Sequence, residues 1–270
     1  MMPQARLQAT APAAPYGALI YHKQFYSRVL DNERALIVYL PPGYGGDAGR
    51  RYPVLYMQDG QNLFDGRTSF IRGQHWHLNE TADSLIGEGA IEAPIIVGVY
   101  NAGAQRIAEY TPTADPNFKV GGRADLYGRM LAEELKPFID REYRTLPGRE
   151  HTGIGGSSLG GLVSLHLGFS RADTFGRVVA MSPSLWWDRC WLLRYIDGLR
   201  RVPKFRLWLD AGTGEGTNTL CNAGALRDTL AARGFKDGAD FKFMKADEGR
   251  HCEQAWADRA HHVLRYVFAA

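Results

Sequence analysis

The chain has 270 residues, of which 45% are hydrophobic and 23% charged, an ordinary composition for a globular protein with a sizeable core. Lysine and arginine outnumber aspartate and glutamate by only 32 to 29, without a run of five or more basic residues. This charge favours neither nucleic acid nor an anionic membrane as a partner. The cysteines, Cys190, Cys221 and Cys252, lack C-x-x-C spacing and predict neither a disulfide framework nor a zinc site, and a single disulfide between two of them is left open.

The N-terminal segment and the chain length favour one domain without a membrane anchor. The start, MMPQARLQATAPAAPYG, lacks the apolar core of a signal peptide, and no window of the sequence is long enough to span a bilayer. We therefore expect a cytoplasmic protein as written, or a secreted or periplasmic one if a leader was removed. No internal repeat or linker divides the chain, so residues 1–270 are predicted to form a single domain, and a homo-oligomer is left open.

Strand-like segments begin the folded part of the chain. Three are predicted in ALIVYLPPGY, YPVLYMQDG and APIIVGVYN, each bounded by proline or glycine. The polar stretch AGAQRIAEYTPTADPNFKVGGR follows and predicts a long functional loop. The next segment, DLYGRMLAEELKPFIDREY, repeats apolar residues at three- and four-residue steps, which predicts a helix with a kink or break at Pro137.

The second half of the chain continues the alternation. Strands are predicted in HTGIGG, GRVVAMSP, KFRLWLDAG and DFKFMKADEG, and helices in LGGLVSLHLGFSR, GALRDTLAARGF and CEQAWADRAHHVLRYVF. Alternating strands and helices predict an α/β fold with a mostly parallel central sheet and helices on both faces. Ligands bind at the carboxyl ends of the strands in such sheets, and two adjacent serines lie at one of these ends.

Of these serines, Ser158 fits the pattern G-x-S-x-G, with Gly156 and Gly160 on either side. Ser157 does not fit, because Leu159 stands where the second glycine is needed. A nucleophile elbow needs small residues there, since the strand turns sharply into the helix. Ser158 is therefore the predicted nucleophile, and a glycine- and serine-rich turn without chemistry is the alternative.

A serine nucleophile needs a histidine base and a carboxylate that orients it. His251 lies in a predicted loop after Ser158 in the chain, whereas His261 and His262 fall inside the last helix pattern. The downstream carboxylates near strand ends are Asp210, Glu215, Asp247 and Glu248. The last two lie close to the histidine in sequence, which makes a correct approach to its ring harder. Position alone does not choose between Asp210 and Glu215.

These residues resemble the putative-esterase family of α/β-hydrolases, which holds acetyl and feruloyl esterases, enterochelin-type esterases, S-formylglutathione hydrolase and mycolyltransferases. The similar stretches run from about Tyr39 to Trp256 and include YMQDGQNLFD, NAGAQRIAEYTP, GGSSLGG, SPSLWW, LDAGTGEG and HCEQAW. The resemblance implies the α/β-hydrolase fold and Glu215 as the triad acid. It also implies that the backbone amides of Gln61 and Leu159 form the oxyanion hole.

The resemblance further implies a rim around the active-site cleft. Arg106 and Glu109 would bind substrate there, and an ion pair that steadies the loop is the alternative. Trp76 and Trp186 fall in rim regions where an aromatic face could stack on a sugar or phenolic ring, and a position in the core is the alternative.

No metal and no cofactor are expected. His75 and His77 are spaced like a metal-binding pair, but no third ligand is evident in the sequence. The expected function is a serine esterase that forms an acyl-enzyme on small esters, of the acetyl or feruloyl type. A siderophore trilactone esterase or an acyltransferase is the alternative within the family, and a catalytically silent binding module is the alternative from another class.

Overall fold

The computed structural model describes residues 16–269, and the first fifteen residues, to which the expectation of no signal peptide applies, lie outside them. The strands are β1 Ala18–Ser27, β2 Asn32–Leu40, β3 Val54–Gln58, β4 Ile95–Val99, β5 Ala114–Asp115, β6 Val120–Gly121, β7 Thr152–Ser157, β8 Arg177–Met181, β9 Arg206–Gly212 and β10 Phe241–Ala246. Eight of them form one sheet in the order β1-β2-β4-β3-β7-β8-β9-β10, while β5 and β6 form a separate small hairpin.

The large sheet is parallel over most of its width. Only β1 with β2 and β2 with β4 pair antiparallel among its described strands, and β4, β3, β7, β8, β9 and β10 run in one direction. The predicted mostly parallel sheet is therefore confirmed. Because parallel strands end at the same edge, the segments that follow β3, β7, β8, β9 and β10 all emerge at that edge.

Helices cover both faces of this sheet, as expected. They are α1 Leu78–Gly87, α2 Arg106–Glu109, α3 Ala124–Arg129, α4 Lys136–Glu142, α5 Leu159–Ser170, α6 Trp187–Gly198, α7 Thr217–Ala232 and α8 Glu253–Val267. Successive residues of a strand point to opposite faces. In β3, Val54 and Tyr56 enter the core with α3 to α7, whereas Leu55 and Met57 enter the core with α1 and α8. Within residues 16–269, no helix has both the length and the apolar character needed to cross a bilayer.

Two segments differ from the sequence expectation. A kink or break was predicted at Pro137, and the helical segment does not break there: Met130–Leu135 form a wider π-helical turn between α3 and α4, and the proline lies in the first turn of α4, where its missing N–H is tolerated. The predicted long loop contains α2 and the β5–β6 hairpin. Strand β1 and helices α1 and α6 were not predicted.

Candidate active site

Ser158 lies at the turn between β7 and α5 in a strained backbone conformation. Its φ of 56° and ψ of −124° are unusual for a residue with a side chain. A Cβ atom on Gly160 would lie 3.0 Å from the Cβ of Gln58, and one on Gly156 would lie 2.9 Å from the carbonyl carbon of Gly160. The contact at Gly156 is too close for a real side chain and the one at Gly160 is tighter than most real contacts, so both glycines have the steric role that the pattern predicts.

The structure brings Ser158, His251 and Glu215 together. Ser158 follows β7, Glu215 lies in the helical turn after β9, and His251 lies in the loop between β10 and α8. The Nε2 atom of His251 is 3.0 Å from the Oγ of Ser158, and its Nδ1 atom is 2.9 Å from the Oε2 of Glu215. The three side chains form one hydrogen-bonded row at the carboxyl edge of the sheet.

Glu215 is held as a carboxylate. Its side chain is fully buried, and its Oε1 atom accepts hydrogen bonds from the Ser182 hydroxyl at 2.5 Å and the Gly212 amide at 2.9 Å. Burial alone would raise the pKa of Glu215, but these bonds and the one from His251 outweigh it and hold that pKa below its usual value. An ionised Glu215 favours the tautomer of His251 with its proton on Nδ1, which leaves a lone pair on Nε2 for Ser158.

Asp210, the other candidate acid, lies beneath this row. It is fully buried, and its two oxygens accept hydrogen bonds from Arg259 at 2.9 Å and from the Trp208 indole at 2.8 Å. Its carboxylate is therefore engaged by donors below the site, while Glu215 contacts His251. The geometry favours Glu215 as the orienting acid.

Ser182 links the two carboxylates. It donates to Glu215 and accepts hydrogen bonds from Arg259 at 2.9 Å and from the Trp256 indole at 3.1 Å. Arg259 binds Asp210 with the same nitrogen. Ser182 and Arg259 were not predicted from the sequence. Ser182 directly follows β8, at the carboxyl edge of the sheet, and this position is the sequence signal from which it could have been predicted.

The two residues of the expected oxyanion hole flank Ser158. Leu159 is the first residue of α5, so its amide has no carbonyl one turn earlier in the helix to bind, and a helix N-terminus favours an anion. Gln61 lines the cavity beside Ser158, and its carbonyl accepts the Thr68 hydroxyl at 2.7 Å. Asp59, two residues earlier, has a φ of 54° and forms part of the turn that carries Gln61.

A cavity of about 570 Å³ opens beside Ser158 and His251, a size suited to a small molecule. Its aromatic lining residues are Phe70, Tyr100 and Trp256, and its polar ones include Asp59, Asn62, Thr68, Asn101, Arg106 and Glu253. Of these, only Arg106 was predicted from the sequence to belong to the site. Glu253 lies two residues after the predicted base and Asp59 directly after β3, and both positions are usable signals for a site at this edge.

The charged groups of the cavity nearly balance. Arg106 makes two hydrogen bonds of 2.7 Å to the two carboxylate oxygens of Asp59, so the alternative ion pair with Glu109 does not form. Glu253 is buried and accepts a hydrogen bond from Asn62 at 2.7 Å. Burial and the nearby charge of Asp59 raise the pKa of Glu253 to about 7. The cavity therefore carries little net charge near neutral pH.

Three residues expected to bind substrate lie elsewhere. Glu109 is fully buried in an ion pair with Arg34 at 3.1 Å, so it cannot contact a molecule in the cavity. Trp76 is 3% exposed and packs against Trp256 in the core, with ring centroids 5.9 Å apart. Trp186 is exposed, but it is not among the residues that line the cavity.

The expectation of no third metal ligand is also corrected. Potential ligand atoms of His75, His77 and Glu80 all lie within 4.8 Å of one another. Glu80 was overlooked because the spacing alone does not show that the first turn of α1 brings it back beside the histidines.

Comparison with known proteins identifies the family. The family model described as "Putative esterase" matches residues 27–262. The Bacillus subtilis protein YjcH is 31% identical over 63% of this chain and 64% of its own length. The siderophore enterobactin esterase of Emericella nidulans is 31% identical over 57% of this chain and 54% of its own length. An endo-1,4-beta-xylanase/feruloyl esterase of Xylanibacter ruminicola is 30% identical over 56% of this chain and 20% of its own length. The chain thus spans about half to two thirds of the first two relatives.

Solved structures share the fold. The BES protein from Bacillus cereus superposes with a TM-score of 0.74 at 21% identity and covers 100% of both chains. The ferulic acid esterase AmCE1/Fae1A from Anaeromyces mucronatus gives a TM-score of 0.68 at 20% identity, covering 99% of this chain and 93% of its own. Because the family model spans most of the chain and the neighbours share its architecture, the chain belongs to the "Putative esterase" family and has the α/β-hydrolase fold.

Proposed function

We propose that the protein hydrolyses carboxylic esters through an acyl-enzyme on Ser158. The observation that carries this proposal is the hydrogen-bonded row of Ser158, His251 and Glu215 at the cavity. The Nε2 atom of His251 takes the proton of the Ser158 hydroxyl while its Oγ atom attacks the ester carbonyl carbon. The carboxylate of Glu215 stabilises the imidazolium that forms.

The amides of Gln61 and Leu159 donate to the oxyanion of the tetrahedral intermediate, where the loss of one donor typically costs about 3 kcal/mol of barrier. The intermediate collapses as the alcohol leaves with the proton from His251, and the acyl group stays on Ser158. Water then attacks the acyl carbon while His251 takes a water proton, and the acid leaves as Ser158 recovers its hydrogen. These steps use side chains and backbone amides of the chain together with one water molecule.

We propose that the substrate is a small ester with little net charge, of the acetyl or feruloyl type. Support comes from the balanced pair of Arg106 and Asp59 and from the raised pKa of Glu253, which leave no strong field for a highly charged molecule. The aromatic side chains of Phe70 and Tyr100 at the cavity suit a phenolic ring. The feruloyl esterase among the relatives agrees with this choice.

A second candidate is a siderophore ester, because one relative is named as a siderophore enterobactin esterase. A ferric tris-catecholate complex is strongly anionic, and the described cavity offers it only one guanidinium, already paired with a carboxylate. Within this candidate, the cavity therefore favours a metal-free or neutral siderophore over a ferric catecholate.

The variant Ser158→Ala tests the mechanism. We expect turnover of p-nitrophenyl acetate to fall by about 10⁴-fold or more and labelling by a fluorophosphonate probe to disappear, since the nucleophile is lost. Ser170→Ala is the matched control, because Ser170 lies exposed at the far end of the same helix. Wild-type turnover by Ser158→Ala would refute the mechanism, and an unlabelled wild-type protein would favour a silent binding module.

A substrate panel tests the specificity. It compares p-nitrophenyl acetate, methyl ferulate, and a catecholate trilactone with and without bound iron, each by kcat/KM. The proposal expects the acetyl or feruloyl ester to be preferred, and a preference for either trilactone would replace it with the second candidate. Transfer of the acyl group to added trehalose, in place of release of the free acid, would identify an acyltransferase.

A further inference from the structure

We propose that His75, His77 and Glu80 bind a divalent transition-metal ion of the zinc class at the start of α1. The site is independent of the proposed esterase activity, because none of these residues is among those that line the Ser158 cavity. Two imidazoles and one carboxylate are a ligand set that zinc uses in proteins, and they leave a fourth tetrahedral position for water.

The distances suit such an ion. One ligand atom from each residue lies within 4.8 Å of the other two. Zinc bonds of about 2.0–2.1 Å in a tetrahedron place neighbouring ligand atoms about 3.4 Å apart. The Nδ1 atom of His77 and the Oε1 atom of Glu80 are 3.3 Å apart, which is close to that spacing.

The backbone holds the two histidines in this arrangement. Trp76, between them, is buried against Trp256, and its amide donates to the carbonyl of Asn62 at 2.9 Å. Trp76 therefore anchors in the core the segment that carries both histidines. Their rings lie together with centroids 3.8 Å apart. The fold thus brings the two imidazole rings together.

The His75 ring is also free to take the tautomer that a metal requires. Its Nδ1 atom is buried and has no hydrogen-bond partner among residues 16–269. A buried polar atom without a partner calls for an explanation, and a ring uncommitted at that nitrogen is available for coordination. The side chains of His77 and Glu80 are 46% and 66% exposed, so an ion can enter from solvent.

Zinc titration of the full-length, tag-free and metal-stripped protein by isothermal calorimetry tests the proposal. We expect one zinc ion per chain and a rise in the thermal unfolding temperature when zinc is added. His75→Ala, His77→Ala and Glu80→Gln should each weaken the affinity at least tenfold, because each removes a ligand. Zinc should no longer raise the unfolding temperature of these variants.

Two control variants separate this site from other histidines. His151 is 3.7 Å from Glu150 but has no second histidine in that contact, so His151→Ala should bind zinc like the wild type. His262 is not among the residues that line the pocket shared by His77, Glu80 and His261, so the single variant His262→Ala should likewise retain binding. The proposal is overturned if the wild type binds no zinc, or if affinity is lost only with His151 or His262.

A spectroscopic measurement covers a variant that folds poorly. Cobalt(II) in place of zinc should give the intense visible absorption of a tetrahedral site in the wild type. Glu80→Gln keeps the size of the side chain and is the variant least able to disturb α1, since Glu80 is largely exposed. A folded Glu80→Gln protein with an unchanged cobalt spectrum would overturn the assignment of Glu80.

Discussion

Replacing Glu215 by glutamine tests the triad assignment because it removes the charge and keeps the shape. In the structure, one oxygen of Glu215 faces His251, and the other faces the Ser182 hydroxyl and the Gly212 amide. A glutamine that keeps its oxygen on the side with two donors must turn its NH₂ group toward His251. That group donates to Nδ1, so the imidazole proton moves to Nε2, which can then no longer accept the proton of Ser158.

The size of the effect follows from this tautomer. In a Ser-His-Asp enzyme, the matching change from aspartate to asparagine lowers kcat by about 10⁴-fold, or about 5.5 kcal/mol of barrier. For Glu215→Gln we expect a loss of roughly 10³- to 10⁴-fold in kcat for p-nitrophenyl acetate. KM should change little, because Glu215 is not among the residues that line the cavity. Steady-state kinetics of purified protein measure both quantities.

Asp210→Asn is the matched comparison. Burial raises the pKa of Asp210 despite the neighbouring Arg259, so the ion pair stabilises the fold less than its 2.9 Å distance suggests. We expect the free energy of unfolding to fall by about 2–4 kcal/mol, with most of kcat retained by the folded protein. A folded but inactive Asp210→Asn together with an active Glu215→Gln would refute the reasoning and make Asp210 the acid.

Three further variants test the surroundings of the site. Ser182→Ala removes a hydrogen bond that positions Glu215, so kcat should fall about 5- to 30-fold, which corresponds to about 1–2 kcal/mol of barrier. KM should stay unchanged, and a change confined to KM would contradict this positioning role. Glu253 keeps its proton in the native state up to its pKa of about 7, whereas in the unfolded chain it loses the proton near pH 4.5. The free energy of unfolding should therefore fall by up to about 3 kcal/mol as the pH rises from about 4.5 to about 7. Urea unfolding at pH 5 and pH 8 should show this fall in the wild type and a smaller one in Glu253→Gln, and equal falls would contradict the assignment. Glu109→Gln leaves Arg34 buried without its counter-charge, so the free energy of unfolding should drop by about 3–5 kcal/mol. The folded fraction should still react with the fluorophosphonate probe. Loss of labelling in folded protein would instead indicate a direct role for Glu109 at the site.

Several of the strands that local patterns predicted are buried on both faces. Strands β3, β4 and β7 are fully buried and appear in the sequence as continuous apolar or glycine-rich runs between turn residues. Strand β1 is an edge strand that is mostly exposed, so no run or alternation marks it. Helix α1 buries only Leu78, Ala82 and Leu85, a stripe too short to stand out from its surroundings.

Residues of the site could be predicted where local geometry determines them. The glycines around Ser158 are required by the turn itself, and this requirement is visible in any sequence that contains it. The pairing of Glu109 with Arg34 joins residues 75 positions apart, and the contact of Arg106 with Asp59 spans 47 positions. Nothing in the local sequence distinguishes these two pairings from an ion pair within one loop.

The order serine, glutamate, histidine along the chain follows from the sheet topology. Strands β7, β8, β9 and β10 are neighbours in that order, and the segments after them carry Ser158, Ser182, Glu215 and His251. The loop that carries His251 must therefore reach back past the ends of β9 and β8 to meet Ser158. This loop can cross the end of β9 because the backbone at Gly212 leaves room for it: a Cβ atom on Gly212 would lie 2.1 Å from the carbonyl oxygen of Gly249. The Gly214 amide donates a hydrogen bond to the same oxygen at 3.0 Å. Gly212 is thus required for the close approach of the loop that carries His251 as well as for its own turn. The sequence of a single strand cannot show this role, because the two segments are far apart in the chain.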